Sequence, residues 1–396
     1  MLKMFNACTS ELDDPKVAVK EITKQLNLEK NLLKNSAAII TVYQDTDEEV
    51  IKAVAKSLPF DSIGMTTFMS ATEKKFDYMQ ITVSVFTSDD VEIAVGCSDE
   101  IIAGSDKEFS DKLKGTLAKV KNPQVILGAT PLLQYASVDY YTRLVNQIDS
   151  KLSLFSLVAI DNTADYRLSR TIFNGEKFIN RFPFIVLGGE KALNFNFAIA
   201  TISTEKAFKG LDEAIVTKSA SSQIIEVNDA PIGNYLHDVG FIKDMDENFS
   251  WLNANPSVAN PFIVDFKDGT PPAIRAIFAF TPDGTAIIGG DIPVGSNIAI
   301  GQFESSEIVD ITKKTLTKFV EKNKNANGFI LYSCCGRYYN LGFDSTEEVE
   351  AVKEIIAKTG KPFLFSYSGG EMCPVYNNEK EKFNRGHNYT CIMAAF

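Results

Sequence analysis

Apolar positions along this chain fall into short runs that alternate with stretches of helical spacing. Ala37-Ala-Ile-Ile-Thr-Val-Tyr43 reads as a strand. Val50, Ile51, Val54 and Leu58 then share one face of a predicted helix from about 46 to 58. Pro59-Phe60 leads into a short strand ending at Gly64, and Tyr78–Phe86 alternates as a further strand. The same order returns from Gln124–Gly128 through a helix near Val138–Ile148, with strands at Leu154–Ile160, Phe182–Leu187 and Phe195–Ile202. It returns again from Gly328–Ser333. There Ser345 and Glu348 form a capping box, Val349, Val352 and Ile356 face inward, and Gly360 closes the helix. Pro362–Phe365 and Tyr389–Phe396 supply the last strands. These three copies are either a repeated unit or the ordinary alternation of an α/β chain.

Asp13-Asp14-Pro15 opens an amino-terminal helix, with its acids at the positive end and proline in the first turn. Val19, Ile22 and Leu26 form its buried stripe. The expected class is α/β in the α+β sense: layered, mixed β-sheets flanked by helices and built from strand-helix-strand-strand units. No linker rich in Pro, Gly or Ser divides the chain. The expected seam lies at 219–232, where a strand pair gives way to a short helix, so the predicted domains are 1–228 and 229–396. Asp283-Gly284 reads as a hairpin and Asp268-Gly269 as a tight turn.

Composition narrows the partners. The chain has 396 residues, 45% of them hydrophobic, with 28 Phe, enough for a sizeable core. Forty Lys and Arg against 51 Asp and Glu give a formal charge of −11, with no basic run, which argues against nucleic acid and anionic membrane surfaces. The opening MLKMFNACTSELDD lacks the apolar stretch of a signal peptide, and no run approaches the ~18 apolar residues of a spanning helix. Six unevenly spaced cysteines read as reduced thiols, so the expected location is cytoplasmic.

Candidate chemistry gathers near the carboxy terminus, in Ser333-Cys334-Cys335-Gly336-Arg337, Ser368-Gly369-Gly370-Glu371 and Gly386-His387-Asn388-Tyr389-Thr390. Arg337 follows a strand, where a free guanidinium would take a carboxylate in a bidentate pair. The alternative is a salt bridge to Glu371 or a surface role. Gly369-Gly370 would leave backbone amides open, and Glu371 would receive an ammonium or sit solvated in a turn. Tyr338, Tyr339 and Tyr367 would supply an aromatic wall. Cys335, His387 and Glu371 make a formal thiol triad, although small buried thiols are commoner than nucleophiles. His387 and Asn388 would line the pocket or fix a loop. The cysteines lack zinc-finger spacing, and the glycine pairs 188–189 and 289–290 lack the spacing of a phosphate loop, so no metal and no cofactor is implied.

In Cys335-Gly336-Arg337, Gly370-Glu371 and His387-Asn388-Tyr389-Thr390 the chain resembles the FIST family, cytoplasmic sensory proteins with an amino-terminal and a carboxy-terminal FIST domain. Asp283-Gly284 with Pro293-x-Gly295, and Val216-Thr217-Lys218, are similar to its middle segments. The resemblance runs from about Thr9 onward. It implies a non-catalytic signal-transduction sensor for a small ligand, an amino acid or related carboxylate. The ligand-binding residues would be Cys335, Gly336, Arg337, Tyr367, Gly369, Gly370, Glu371, His387 and Asn388. Two turns depart from the family's Gly-Glu pattern, at Ile63–Ser70 and Ala159–Asp165. No output segment is recognisable, so a separate partner protein would carry the signal. The competing readings are a thiol hydrolase or transferase using Cys335 and His387, and a scaffold without ligand.

Overall fold

The computed structural model describes residues 1–133, 136–163, 165–201, 214–242, 250–253, 260–301 and 304–396. It contains three six-stranded sheets laid out on one plan. The first runs Lys3–Thr9, Ile81–Ser88, Asn35–Tyr43, Ser62–Thr67, Thr171–Phe173, Glu176–Phe178. The second runs Glu92–Cys97, Pro183–Gly188, Pro123–Thr130, Ser153–Val158, Glu371–Tyr376, Lys382–His387. The third runs Asn196–Ala200, Cys391–Ala395, Phe329–Cys334, Phe363–Ser368, Ser70–Thr72, Phe76–Asp77. In each sheet the third and fourth strands are the parallel pair. The recurrence in the sequence is thus a repeated structural unit, and the sheets are mixed.

The last two strands of every sheet come from another unit. The hairpin at 70–77 completes the third sheet, that at 171–178 the first, and that at 371–387 the second. The exchange closes into a ring. Residues from all three sheets, among them Ile39, Met65, Leu127, Phe155, Ile330 and Leu364, meet in one shared core. Helices cover the outer faces: Pro15–Leu26 and Glu48–Lys56 on the first sheet, Asp106–Leu117 and Asp139–Ile148 on the second, Ser305–Lys322 and Glu347–Ala357 on the third. Among the described residues no helix is long and apolar enough to cross a membrane.

Most predicted elements lie within a few residues of their places, and the differences have causes. Ile81–Ser88 is buried at every position rather than alternating, because core lies on one face and helices on the other. The strand read as the end of the second copy, Asn196–Ala200, begins the third unit and pairs with Cys391–Ala395. Asp14 caps the first helix by accepting from the amides of Lys16 and Val17. The capping box at Ser345 does not form. The helix starts after Thr346 without a side-chain cap, and Glu348 turns into the protein.

Between Asn196–Ala200 and helix Ser305–Lys322 the third unit carries an insertion, with a five-stranded sheet including Val216–Ala220 and Gln223–Val227 and a three-stranded one at Phe262–Asp265, Ala273–Arg275 and Asn297–Ile300. Gly284 and Gly269 make the two expected turns with φ of 83° and 77°. Strand pairing crosses position 228 in both directions, since Asn196–Ala200 joins Cys391–Ala395 and Glu371–Tyr376 joins Ser153–Val158.

Candidate functional site

Phe329–Cys334 ends where a short helix, Cys335–Leu341, begins, so Arg337 stands on a helix rather than in an open loop. Its side chain is completely buried. Nε donates to Glu348 Oε1 at 3.0 Å and Nη2 to the same oxygen at 2.6 Å. Nη2 also reaches Thr312 Oγ1 at 2.6 Å and Ile308 O at 3.1 Å, while Nη1 reaches Tyr389 O at 3.3 Å. Ser333 Oγ donates to Glu348 Oε2 at 2.7 Å, and Tyr367 Oη lies 3.4 Å from it. Burial works against the guanidinium charge, but Glu348 outweighs it and holds the pKa above its ordinary value. The fork that was expected to take a ligand carboxylate, or to bridge to Glu371, is filled by Glu348 from inside the protein.

Glu371 sits across the strand pair from His387 and is likewise buried. Ser368 Oγ donates to one of its oxygens and Thr390 Oγ1 to the other, the latter at 2.9 Å. Burial, and then the neighbouring Cys334 thiol, raise its pKa well above the carboxylate range. The glycines before it splice two sheets: Gly369 N donates to Val158 O at 3.0 Å, and Gly370 O accepts from Val158 N at 2.8 Å. Gly336 packs on the Tyr389 ring, and Cys335 joins an apolar cluster with Phe68 and Tyr367. Cys334's thiol is held well above its usual range by its hydrogen bond with Cys335 and by burial. Among the described residues no hydrogen bond links Cys335, His387 and Glu371 into a triad. His387 closes the strand Lys382–His387 rather than opening the final one, with Nε2 3.4 Å from Cys373 O.

The predicted constellation is therefore brought together, but with Arg337, Glu371 and Tyr367 fully buried, while Tyr339 is exposed. Of the predicted ligand residues Gly369 is half-buried, while His387 and Asn388 are 4% and 2% exposed. Asn388 Oδ1 accepts from Ala276 N at 3.1 Å and lies against Gly289, where a Cβ would come within 2.3 Å of it. Gly290 makes the same allowance for Arg275, whose Nε would be 2.3 Å from a Cβ there. The glycine pair 289–290 thus admits two side chains rather than a phosphate.

Arg275 lines a cleft of about 570 Å³ where helix Asp139–Ile148, strand Lys382–His387 and the insertion meet. The side chain is fully buried, with Nη2 2.9 Å from Asp139 Oδ2 and Nη1 2.8 Å from Gly386 O. Its Nε has no hydrogen-bond partner among the described residues. Asp139 also accepts from the amides of Gly386 and Asp291, each at 2.9 Å. Burial opposes its ionisation, yet Arg275 and these amides hold its pKa below the usual carboxylate value. Arg385 pairs with Asp268 and lies 3.9 Å over the Phe266 ring. Asp291 accepts from Ser137 Oγ at 2.7 Å, and no Lys or Arg stands within ion-pair distance of it among the described residues. Burial, then the charge of Asp139, push its pKa up. Burial and the two arginines drive His387 the other way, down to about 3.

Residues 244–374 match the family of the FIST C domain. Over these residues the chain is similar to a FIST C domain. The match takes in Arg275, Asp291, Arg337, Glu348, Tyr367 and Glu371, and a FIST C domain is a sensory signal-transduction domain. No curated protein matches the chain. Among the described residues no group of three or more His, Cys, Asp and Glu is placed to hold a metal ion.

Sequence reasoning passed over Glu348, Asp139, Arg275, Asp291 and Arg385. Glu348 was concealed by a good capping pattern, and Asp139 by its place in the first turn of a helix. Arg275 did leave a trace, as a lone charge within the apolar run Ala273-Ile-Arg-Ala-Ile-Phe278.

Proposed function

We propose that this chain is a non-catalytic cytoplasmic sensor of the FIST type that binds a small zwitterion, an amino acid or a related carboxylate, in the Arg275 cleft. The observation that carries this reading is the arrangement of charge there. Buried Arg275 and Asp139 neutralise each other at the floor, Arg385 stands on the wall, and among the described residues no Lys or Arg lies within ion-pair distance of Asp291. An ammonium beside Asp291 would relieve its repulsion from Asp139, and a carboxylate would compete with Asp268 for Arg385. A cleft of this size falls within the roughly 300–1,000 Å³ usual for small-molecule sites. Its walls come from segments far apart in the chain, so occupancy would tighten the insertion against helix Asp139–Ile148. A separate signalling partner would read that change.

Thermal unfolding against a panel of amino acids and small carboxylates tests this. A ligand at about 100 times its dissociation constant adds roughly 2.7 kcal/mol, enough to raise Tm by several degrees. The shift is expected in the wild type and in Arg337→Met, and is expected to vanish in Arg385→Ala and Asp291→Asn. No shift across the panel, or one that survives both cleft variants, would overturn the proposal.

A further inference from the structure

A second hollow, of about 540 Å³, lies where the first strands of the three units begin. Leu2, Val91 and Phe195 each directly precede such a strand, at equivalent positions in the repeat, and all three line it together with Phe396. Leu2, Val91 and Phe396 belong to the shared core and are 5%, 6% and 6% exposed. They form an apolar floor, while Leu193 and Phe195 pack against it and stay half-exposed. One wall is the bare backbone of Gly188-Gly189, which sends no side chain into the space.

Around the mouth stand the amides of Asn194, Asn325 and Asn327, with Asp90, Glu92, Glu190 and Lys191. The three carboxylates are already engaged. Asp90 pairs with the amino group of Met1 at 2.8 Å, Glu92 accepts from Lys121 N at 2.7 Å, and Glu190 pairs with Lys121 Nζ at 3.3 Å. An anionic ligand would meet an excess of carboxylates, and a cation would find them occupied. An apolar body would cover half-exposed aromatic and aliphatic surface, worth about 25 cal/mol per Å² removed from water. The asparagines would satisfy an uncharged polar end.

From this we infer that the end of the shared core is a binding site for a small uncharged molecule with an aromatic or aliphatic body. The site is independent of the Arg275 cleft, which lies on other elements. The test is fluorescence titration with N-phenyl-1-naphthylamine, a neutral apolar probe, on the wild type and on Ala192→Trp and Leu193→Arg. Both positions lie outside the fully buried core, so the variants should fold, which unchanged circular dichroism would verify. Saturable binding of one probe per chain is expected, weakened at least about tenfold in both variants and unchanged in Arg385→Ala. Non-saturable uptake, or equal affinity in the wild type and the filled variants, would overturn the inference.

Discussion

The Arg337–Glu348 pair and His387 show two ways in which a buried ionisable side chain is tolerated. Arg337 keeps its charge because a carboxylate, two carbonyls and a hydroxyl surround it. His387 gives its charge up, since burial and the cations Arg275 and Arg385 outweigh the nearby carboxylate of Asp139 and bring its pKa from 6.5 to about 3. The neutral ring therefore stabilises the fold fully above pH 6.5. Between pH 6.5 and about 3 the unfolded chain takes up a proton that the folded chain refuses. Glu371 has the opposite sign, because its raised pKa favours the folded state at low pH and that gain fades as pH rises above 4.5. Wild-type stability is thus expected to fall with acidification by up to about 1.4 kcal/mol per pH unit on account of His387. Urea unfolding of His387→Asn beside the wild type at pH 7, 6 and 5 isolates this contribution. Parallel pH profiles for the two proteins would mean that His387 titrates normally.

At the scale of elements, packing demands that are invisible in the sequence decide what a residue does. Gly64 and Gly115 are both glycines inside regular structure. A Cβ on Gly64 would lie 2.2 Å from the carbonyl oxygen of Ile40, between two parallel strands, whereas one on Gly115 would meet nothing within 4 Å. Gly64→Ala is expected to destabilise by about 1–3 kcal/mol through overpacking, and Gly115→Ala to stabilise helix Asp106–Leu117 by about 0.5–1 kcal/mol. Denaturant midpoints of the two variants check both signs. The legible parts of the fold were those with long periodic runs, such as 37–43 with 46–58 and 328–333 with 345–356. The exchanging strands Ser70–Thr72, Phe76–Asp77, Thr171–Phe173 and Glu176–Phe178 are two or three residues long, too short to show a period. The loop cluster around Arg337 and Glu371 was also legible as a meeting point. Its exposure was not, because Glu348 reaches Arg337 from a helix that a capping pattern explained equally well, and Arg275 reaches Asp139 across 136 residues.

For the whole molecule, the closed exchange of hairpins makes each sheet depend on a distant part of the chain. Separating the protein at 228/229 would strip the second sheet of Glu371–Tyr376 and Lys382–His387. The third would lose Asn196–Ala200 from one edge and the 70–77 hairpin from the other. The shared core would be opened as well, since Leu127 and Phe155 lie on one side of the cut and Ile330 and Leu364 on the other. Free strand edges over exposed apolar surface invite aggregation. Fragments 1–228 and 229–396 are therefore expected to be aggregated or non-cooperative when made alone, and to form a one-to-one complex with a sharp unfolding transition when made together. Size-exclusion chromatography and urea unfolding of the single and paired fragments give the answer. Either fragment unfolding cooperatively by itself would show that the exchanged hairpins are attachments to self-sufficient domains. Failure of both alone, with recovery of the pair, would make the ring of three units the folding unit. It would also explain how occupancy at the Arg275 cleft, which touches the second sheet, could be felt in the third.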